Sequence, residues 1–153
     1  MKRSVRSLVA GIMLVMMTAG CTALGKGSEM NREEALAQTS AIVEQLIMQV
    51  GGDWKQHALP STGPCSTGGS QRGFEWADDW DGEGIRDVDK ALDVAEQLLR
   101  QIGLETERQP GPYGAAVHGM ALDGRSVLLD IGDNGRALLD ARSACFPAAP
   151  EDH

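Results

Sequence analysis

Apolar side chains recur along this chain at three different spacings. An unbroken apolar run occupies Leu8 to Met17. Helical spacing appears at Ala35, Ile42, Val43, Leu46, Ile47 and Val50, and again at Val88, Ala91, Leu92, Ala95, Leu98, Leu99 and Ile102. From Leu104 onward the pattern shortens to alternation between tight turns. The first periodic segment opens at Asn31, an N-cap with Glu34 three residues on, and Gly51-Gly52 ends it. The second opens at Asp87 and closes at Gly103, with Leu104 placed for the apolar contact of a Schellman end.

Between the two helices, residues Asp53 to Ser70 are rich in Gly, Pro, Ser and Thr and read as a long loop. Gln71 to Ala77 reads as a strand with Phe74 and Trp76 on one face, and Asp78 to Gly84 as an acidic turn. Four short strands follow: Leu104 to Arg108, Ala115 to Leu122, Arg125 to Ile131 and Arg136 to Cys145. Gln109-Pro110-Gly111-Pro112 interrupts the first pair, Asp123-Gly124 predicts a two-residue primed turn, and Asp133-Asn134-Gly135 a second tight turn. Val127, Leu129 and Ile131 share one face, and Ala137, Leu139 and Ala141 point inward while Asp140 and Arg142 point out. The expected fold is α+β, an antiparallel sheet of four or five strands packed against two helices, in one domain over residues 31–147. The tail 148–153 reads as disordered.

The apolar run near the start has a different meaning. Lys2, Arg3 and Arg6 precede it and the small residues Thr18-Ala19-Gly20 follow. That order describes a secretory signal peptide over residues 1–20, and the run is shorter than the ~20 apolar residues of a spanning helix. Thr18-Ala19-Gly20-Cys21 resembles the lipobox of bacterial lipoproteins, with Thr18 where leucine is usual. The resemblance implies a diacylglyceryl group on the Cys21 sulfur, removal of the leader, and a further fatty acyl chain such as palmitate on the new amino group. It implies a chain anchored to the cell membrane on its extracytoplasmic face, with residues 21–30 as a lipid-anchored flexible tether.

Composition sharpens this picture. Apolar content is 42% but aromatic content only 4%, so the core is expected to be aliphatic. Three of the 14 basic residues and none of the 22 acidic ones precede Cys21, which leaves the remainder a net charge of −11. Such a surface disfavours nucleic acid and anionic lipid headgroups as direct ligands and suits a basic partner or divalent cations. With Cys21 assigned to lipid, Cys65 and Cys145 remain as an even pair in an exported domain, and a disulfide between them is expected. The alternative, a reactive thiol at either position, lacks a neighbouring base or a CxxC spacing.

The mature layout is also similar to that of small actinobacterial lipoproteins of unknown role: a loop Cys65, a strand bearing Trp76, a helix ending near Gly103, the Asp123-Gly124 hairpin, and Ser143-Ala144-Cys145-Phe146-Pro147 at the end of the last strand. That resemblance spans residues 65–147 and implies no catalytic residue.

Candidate chemistry is sparse. Aligned as an EF-hand loop, Asp79, Asp81 and Gly82 fit, but Ala77 and Val88 fall where the first acid and the bidentate Glu belong. Aligning Gly135 instead fails in the same way, with Ala141 in the last position. His57, His118 and His153 are far apart for a zinc site. No G-x-S-x-G elbow is present, and Gly68-Gly69-Ser70 lacks a P-loop's Lys. No catalytic residue, metal or cofactor is expected. Trp80, held between Asp79 and Asp81, is expected to be exposed and to contact a protein or cell-wall component. The function this favours is a non-catalytic binding or interaction module of the bacterial envelope. One alternative is a carrier of a small apolar ligand or lipid, with a cavity beneath the small residues Gly114-Ala115-Ala116; another is an enzyme whose site is not visible as a motif.

Overall fold

A computed structural model describes residues 30–66 and 72–147. The leader 1–20, Cys21, the tether up to residue 29 and the tail 148–153 lie outside the described residues. Two helices, α1 (Arg32–Val50) and α2 (Val88–Gln101), lie on one face of an antiparallel sheet. The strands are β1 (Asp53–Gln56), β2 (Ser61–Ser66), β3 (Arg72–Glu83), β4 (Glu105–Pro110), β5 (Gly114–Met120), β6 (Ser126–Gly132), β7 (Ala137–Arg142) and β8 (Phe146–Pro147).

Both helices are specified locally. Asn31 accepts from the Glu34 amide at 2.9 Å and Glu34 accepts from the Asn31 amide at 3.2 Å, a complete capping box. Asp87 caps α2 through the Lys90 amide at 3.1 Å. At the other end of α2, Gly103 takes φ 87°, its amide donates to Arg100 O, and the Leu104 amide donates to Leu99 O. These are the two bonds of a Schellman motif, and the left-handed residue between them is the glycine that carries no Cβ penalty. The buried face of α2 is Ala91, Leu92, Ala95, Leu98 and Leu99, as the spacing predicts.

The sheet runs β1-β3-β7-β6-β5-β4, with β2 and β8 also paired to β3. Among the described residues eight strands therefore replace the expected four or five. Two of the extra ones, β1 and β2, lie in the segment expected to be a long loop. They pair with the two halves of β3 on the same side: Asp53–Gln56 opposite Gln56's partner Trp80 through Glu83, and Ser61–Ser66 opposite Arg72–Ala77. The supposed acidic turn is the second half of β3, a single strand of twelve residues. Its backbone is fully paired there, with β1 on one side and β7 on the other. The expected last strand is split: β7 ends at Arg142, and β8 resumes at Phe146 against Phe74. Ser143 sits in the gap, buried, with its hydroxyl accepting from the Trp76 amide at 2.9 Å.

The β5–β6 connection also differs from expectation. The Gly124 amide donates to Ala121 O and the Ala121 amide to Arg125 O, so the loop has three residues and Gly124 alone fills the left-handed position. The β6–β7 turn repeats this arrangement at Gly135.

The core is aliphatic. Leu46, Leu92, Leu99, Leu129, Ile131 and Leu139 are each under 2% exposed. α1 covers β3, β7 and β8, and α2 covers β4, β5 and β6. Arg108 on β4 joins α2 to the sheet edge by pairing with Glu96 at 2.9 Å and Asp93 at 2.6 Å. The Arg108 hydrogen bond holds the Glu96 carboxyl below its ordinary range. Among the described residues no helix is long and apolar enough to cross a membrane.

Cys65 and Cys145 form a disulfide, with Cα atoms 5.9 Å apart and the two residues 80 positions apart in sequence. It ties β2 at the sheet edge to the segment between β7 and β8. Replacing both cysteines with serine is expected to remove roughly 4–5 kcal/mol of stability through the loop closure it abolishes. Denaturant unfolding of the oxidised wild type against the Cys65→Ser/Cys145→Ser variant measures this; a difference under 1 kcal/mol contradicts it.

Candidate functional site

Directly opposed residues of neighbouring strands share a face of the sheet, which assigns every side chain of β3 to one side or the other. Trp80 opposes the buried Leu139 and Asp78 opposes the buried Ala141, so both point toward the helices. Asp79 opposes Asp140 and Asp81 opposes Leu138 on the other side. The three residues expected to form one surface are therefore divided. Trp80 is not an exposed contact: its ring is half-buried against the core, and its indole nitrogen is buried without a partner. A strand's two-residue period separates it from the acids that flank it in sequence.

Around Trp80 the inner face is polar at one edge. The Gln56 amide donates to Asp78 at 2.7 Å, which serves a carboxylate that is only 4% exposed. The Trp54 indole lies over Gly82, where a Cβ would meet the ring at 2.8 Å, and its nitrogen donates to Gly51 O at 2.7 Å. Trp76 donates to Arg32 O at 3.0 Å while the Arg32 guanidinium stacks 5.2 Å above its ring. These three tryptophans fix α1 against β3 and form no common surface.

The opposite face holds the acids. Among the described residues no helix covers it, and the Gly111–Tyr113 loop folds across one corner. There Asp130, fully buried, accepts from the Tyr113 amide at 2.7 Å and the Gly114 amide at 3.1 Å. Gly111 lies so close that an added Cβ would stand 2.4 Å from that carboxylate. The small residues Gly114 and Ala116 are thus matched to tight contacts at the β5–β6 ladder: a Cβ on Gly114 would meet Ile131 O at 2.5 Å, and Ala116 is 0% exposed. No cavity is needed to explain them.

Across the middle of this open face the register sets out one transverse row: Asp79, Asp140, Leu128, His118 and Glu107 on β3, β7, β6, β5 and β4. His57 extends the row at the β1 edge, its amide donating to Asp79 O at 2.8 Å. Its Nδ1 lies 2.9 Å from Asp81, with both side chains at least half exposed. Asp81 raises the His57 pKa above 6.5, first by hydrogen bonding and then by charge. The Asp79 carboxyl is also raised above 3.8, first by loss of solvent and then by the Asp140 charge opposite it. Arg142 is the counter-charge, bonded to Glu75 at 2.9 Å and to Asp140 at 3.3 Å.

His57 and His118 therefore stand in one row with three strands between them. Among the described residues no group of three or more His, Cys, Asp and Glu is placed to hold a metal ion. The His57–Asp81 pair can hold a proton, but it lies on an open face and Cys65 is closed in the disulfide. What the face offers is a shallow acidic strip interleaved with the half-exposed Leu128 and Leu138.

No protein-family model matches the chain, and no curated protein does. The fold, however, has a counterpart. A crystal structure of a DUF4853 family protein from Actinomyces odontolyticus ATCC 17982 superposes with TM-score 0.54 at 17% identity, covering 80% of this chain and 70% of that one. At that identity the likeness is one of fold alone.

The two raised titrations have opposite consequences. Below about pH 6.5 the His57–Asp81 link is fully formed, and it is lost as pH rises through the raised His57 midpoint. Ring-proton NMR should place that midpoint above 6.5, and Asp81→Asn should bring it back; no change in the variant would contradict the link. For Asp79 the unfolded chain releases its proton first as pH rises past 3.8, so the charged carboxylate costs stability at neutral pH. Asp79→Asn is expected to stabilise by up to about 1 kcal/mol at pH 7, the scale of a cross-strand like-charge pair. The gain should vanish at pH 3; urea unfolding at both pH values checks it.

Proposed function

We propose that this chain is a lipoprotein held to the membrane through Cys21, and that its folded domain is a non-catalytic binding module for a protein partner carrying a basic segment. The observation that supports this best is the open sheet face. It carries Asp79, Asp81, Asp140 and Glu75 beside Arg142, on the side that the helices leave uncovered. Half-buried carboxylates already repelling one another are stabilised by an incoming Lys or Arg, and Leu128 and Leu138 supply apolar contact between them. The Cys65–Cys145 disulfide accords with an oxidising, extracytoplasmic compartment. The partner-contact role first expected of Trp80, Asp79 and Asp81 stays with the two acids and passes from Trp80 to Leu138, which faces the same way as Asp81.

Site-specific photo-cross-linking in intact cells tests this reading. A photoreactive residue at Leu138 should capture one reproducible protein, while the same residue at the exposed Met48 on α1 should not. Capture should fall at least tenfold in an Asp79→Asn/Asp81→Asn/Asp140→Asn variant, the equivalent of about 1.4 kcal/mol. Equal capture from both positions, or adducts to glycan alone, would refute the protein-binding role. In the same cells Cys21→Ala should move the protein from the membrane to the soluble fraction.

A further inference from the structure

The β5–β6 hairpin ends in an apolar point. Leu122 at its tip is fully exposed, and Met120 at the end of β5 is 46% exposed. The other exposed large apolar residues among those described, Met48, Leu59 and Tyr113, lie apart from it and from one another, on α1, between β1 and β2, and between β4 and β5. Isolated exposures of that kind are ordinary on protein surfaces. The hairpin differs in its place and in its finish.

Its place follows from the register. Ser126 and Arg142 oppose one another, and Arg142 opposes Ala77, so the hairpin lies at the end of the sheet where β3 begins. A chain of contacts joins that end to the start of α1. The Asp123 carbonyl accepts from the Cys145 amide at 3.4 Å, Phe146 lies against Trp76 with ring centroids 6.4 Å apart, and Trp76 donates to the Arg32 carbonyl at 3.0 Å. The other end of the sheet holds the α1 C-terminus, the α2 N-terminus and the Gly135 turn, which bonds to Ile85. Leu122 therefore shares one end of the domain with the point where the chain enters from Cys21. The nine Cα steps from Cys21 to Met30 reach at most about 30 Å when fully extended.

The finish is electrostatic. Arg125 bonds the Asp123 carboxylate at 2.8 and 3.1 Å through its side chain and at 3.1 Å through its amide. The Gly124 and Ala121 amides are bonded within the turn. The tip thus presents Leu122 with Asp123 and Arg125 paired and these donors satisfied, so placing Leu122 in an interface strands neither ion, while the exposed Glu105 opposite Met120 stays at the level of the polar headgroups.

We propose that this tip is a second membrane contact, in which Leu122 and Met120 seat in the headgroup layer of the bilayer that holds the lipid on Cys21. The proposal rests on the anchoring reading above. Short tether and apolar tip together set the domain upright, with the sheet's strands running away from the membrane.

The full-length, cell-processed protein tests it, carrying Leu122→Cys or, as a control toward the far end, Met48→Cys. Each is labelled with an environment-sensitive fluorophore without reductant and reconstituted into phosphatidylcholine vesicles. Both positions are exposed, so neither label disturbs the core. The expected result is a blue-shifted emission at position 122, quenched by nitroxide on the lipid chains, with position 48 unshifted and unquenched. If the protein floats with the vesicles and its N-terminal peptide carries acyl chains, yet both labels report water or both are quenched alike, the tip contact is overturned and the anchor stands. If the N-terminal peptide is unacylated and the protein does not float, the anchoring reading falls and the tip contact with it.

Discussion

Twelve consecutive residues of β3 commit their backbone to four neighbours, and the architecture follows from that commitment. A strand interior to a sheet must have both edges paired along its whole length, because an unpaired buried amide costs about as much as a lost hydrogen bond. No single neighbour here is long enough. β1 and β2 divide one edge between them, and β7 and β8 divide the other. Each division needs a repair. Between β7 and β8 it is Ser143, whose hydroxyl accepts from the Trp76 amide while its own amide donates to the Trp76 carbonyl. The disulfide then closes the far end, where β8 has only two residues and β2 is an edge strand paired on one side.

This accounts for which parts were legible in the sequence. The helices carry their own instructions. The capping box at Asn31 and the Schellman end at Gly103 depend on residues within a turn of one another, and both were readable from spacing. The central strands were readable too, because Val127, Leu129, Ile131, Ala137, Leu139 and Ala141 alternate against a buried helix layer. β1, β2 and the second half of β3 carried no such signal. β1 and β2 are edge strands with half-exposed, alternating polar positions, and Gly63 and Pro64 are residues that strands usually avoid. Pro64 is tolerated because an edge strand needs its amides on one side only. In β3 the inward positions are Asp78, Trp80 and Gly82, none of them aliphatic. They are accommodated one at a time, by the Gln56 amide, by the core and by the Trp54 ring.

The candidate site was misread for the same reason. Treated as a turn, Asp79-Trp80-Asp81 projects as one cluster; treated as a strand, it divides at once, with Trp80 inward. A two-residue period carried forward from Phe74 and Trp76 would have placed Trp80 beside them and the acids opposite. What no local rule could supply is the pairing of Asp79 with Asp140, which are 61 positions apart in sequence and meet only through the β3–β7 register. The like-charge contact is thus a product of topology, offset within the domain by Arg142.

Charge is distributed unevenly over the two faces of this sheet, and that bears on how a partner would meet it. On the helix side one network joins Arg108 and Arg100 to Glu96 and Arg108 to Asp93, while Glu33, Glu44 and Asp89 stand exposed and apart along the helices. On the open side Arg142 alone serves Glu75 and Asp140, while Asp79 is left with a raised titration. Ion pairs at a solvated surface contribute little to stability, so the pairing on the helix side is not required for folding, and neither is the imbalance on the other. The imbalance does have a directional effect. A cation approaching the open face meets Asp79, Asp140, Asp81 and Glu75 grouped across two adjacent strands, with Arg142 and Lys55 as the cations beside them, and that grouping orients the encounter. With the strands running away from the membrane, as the proposed hairpin contact requires, that face stands perpendicular to the bilayer. A basic segment could then reach it from the side without passing between the domain and the lipid.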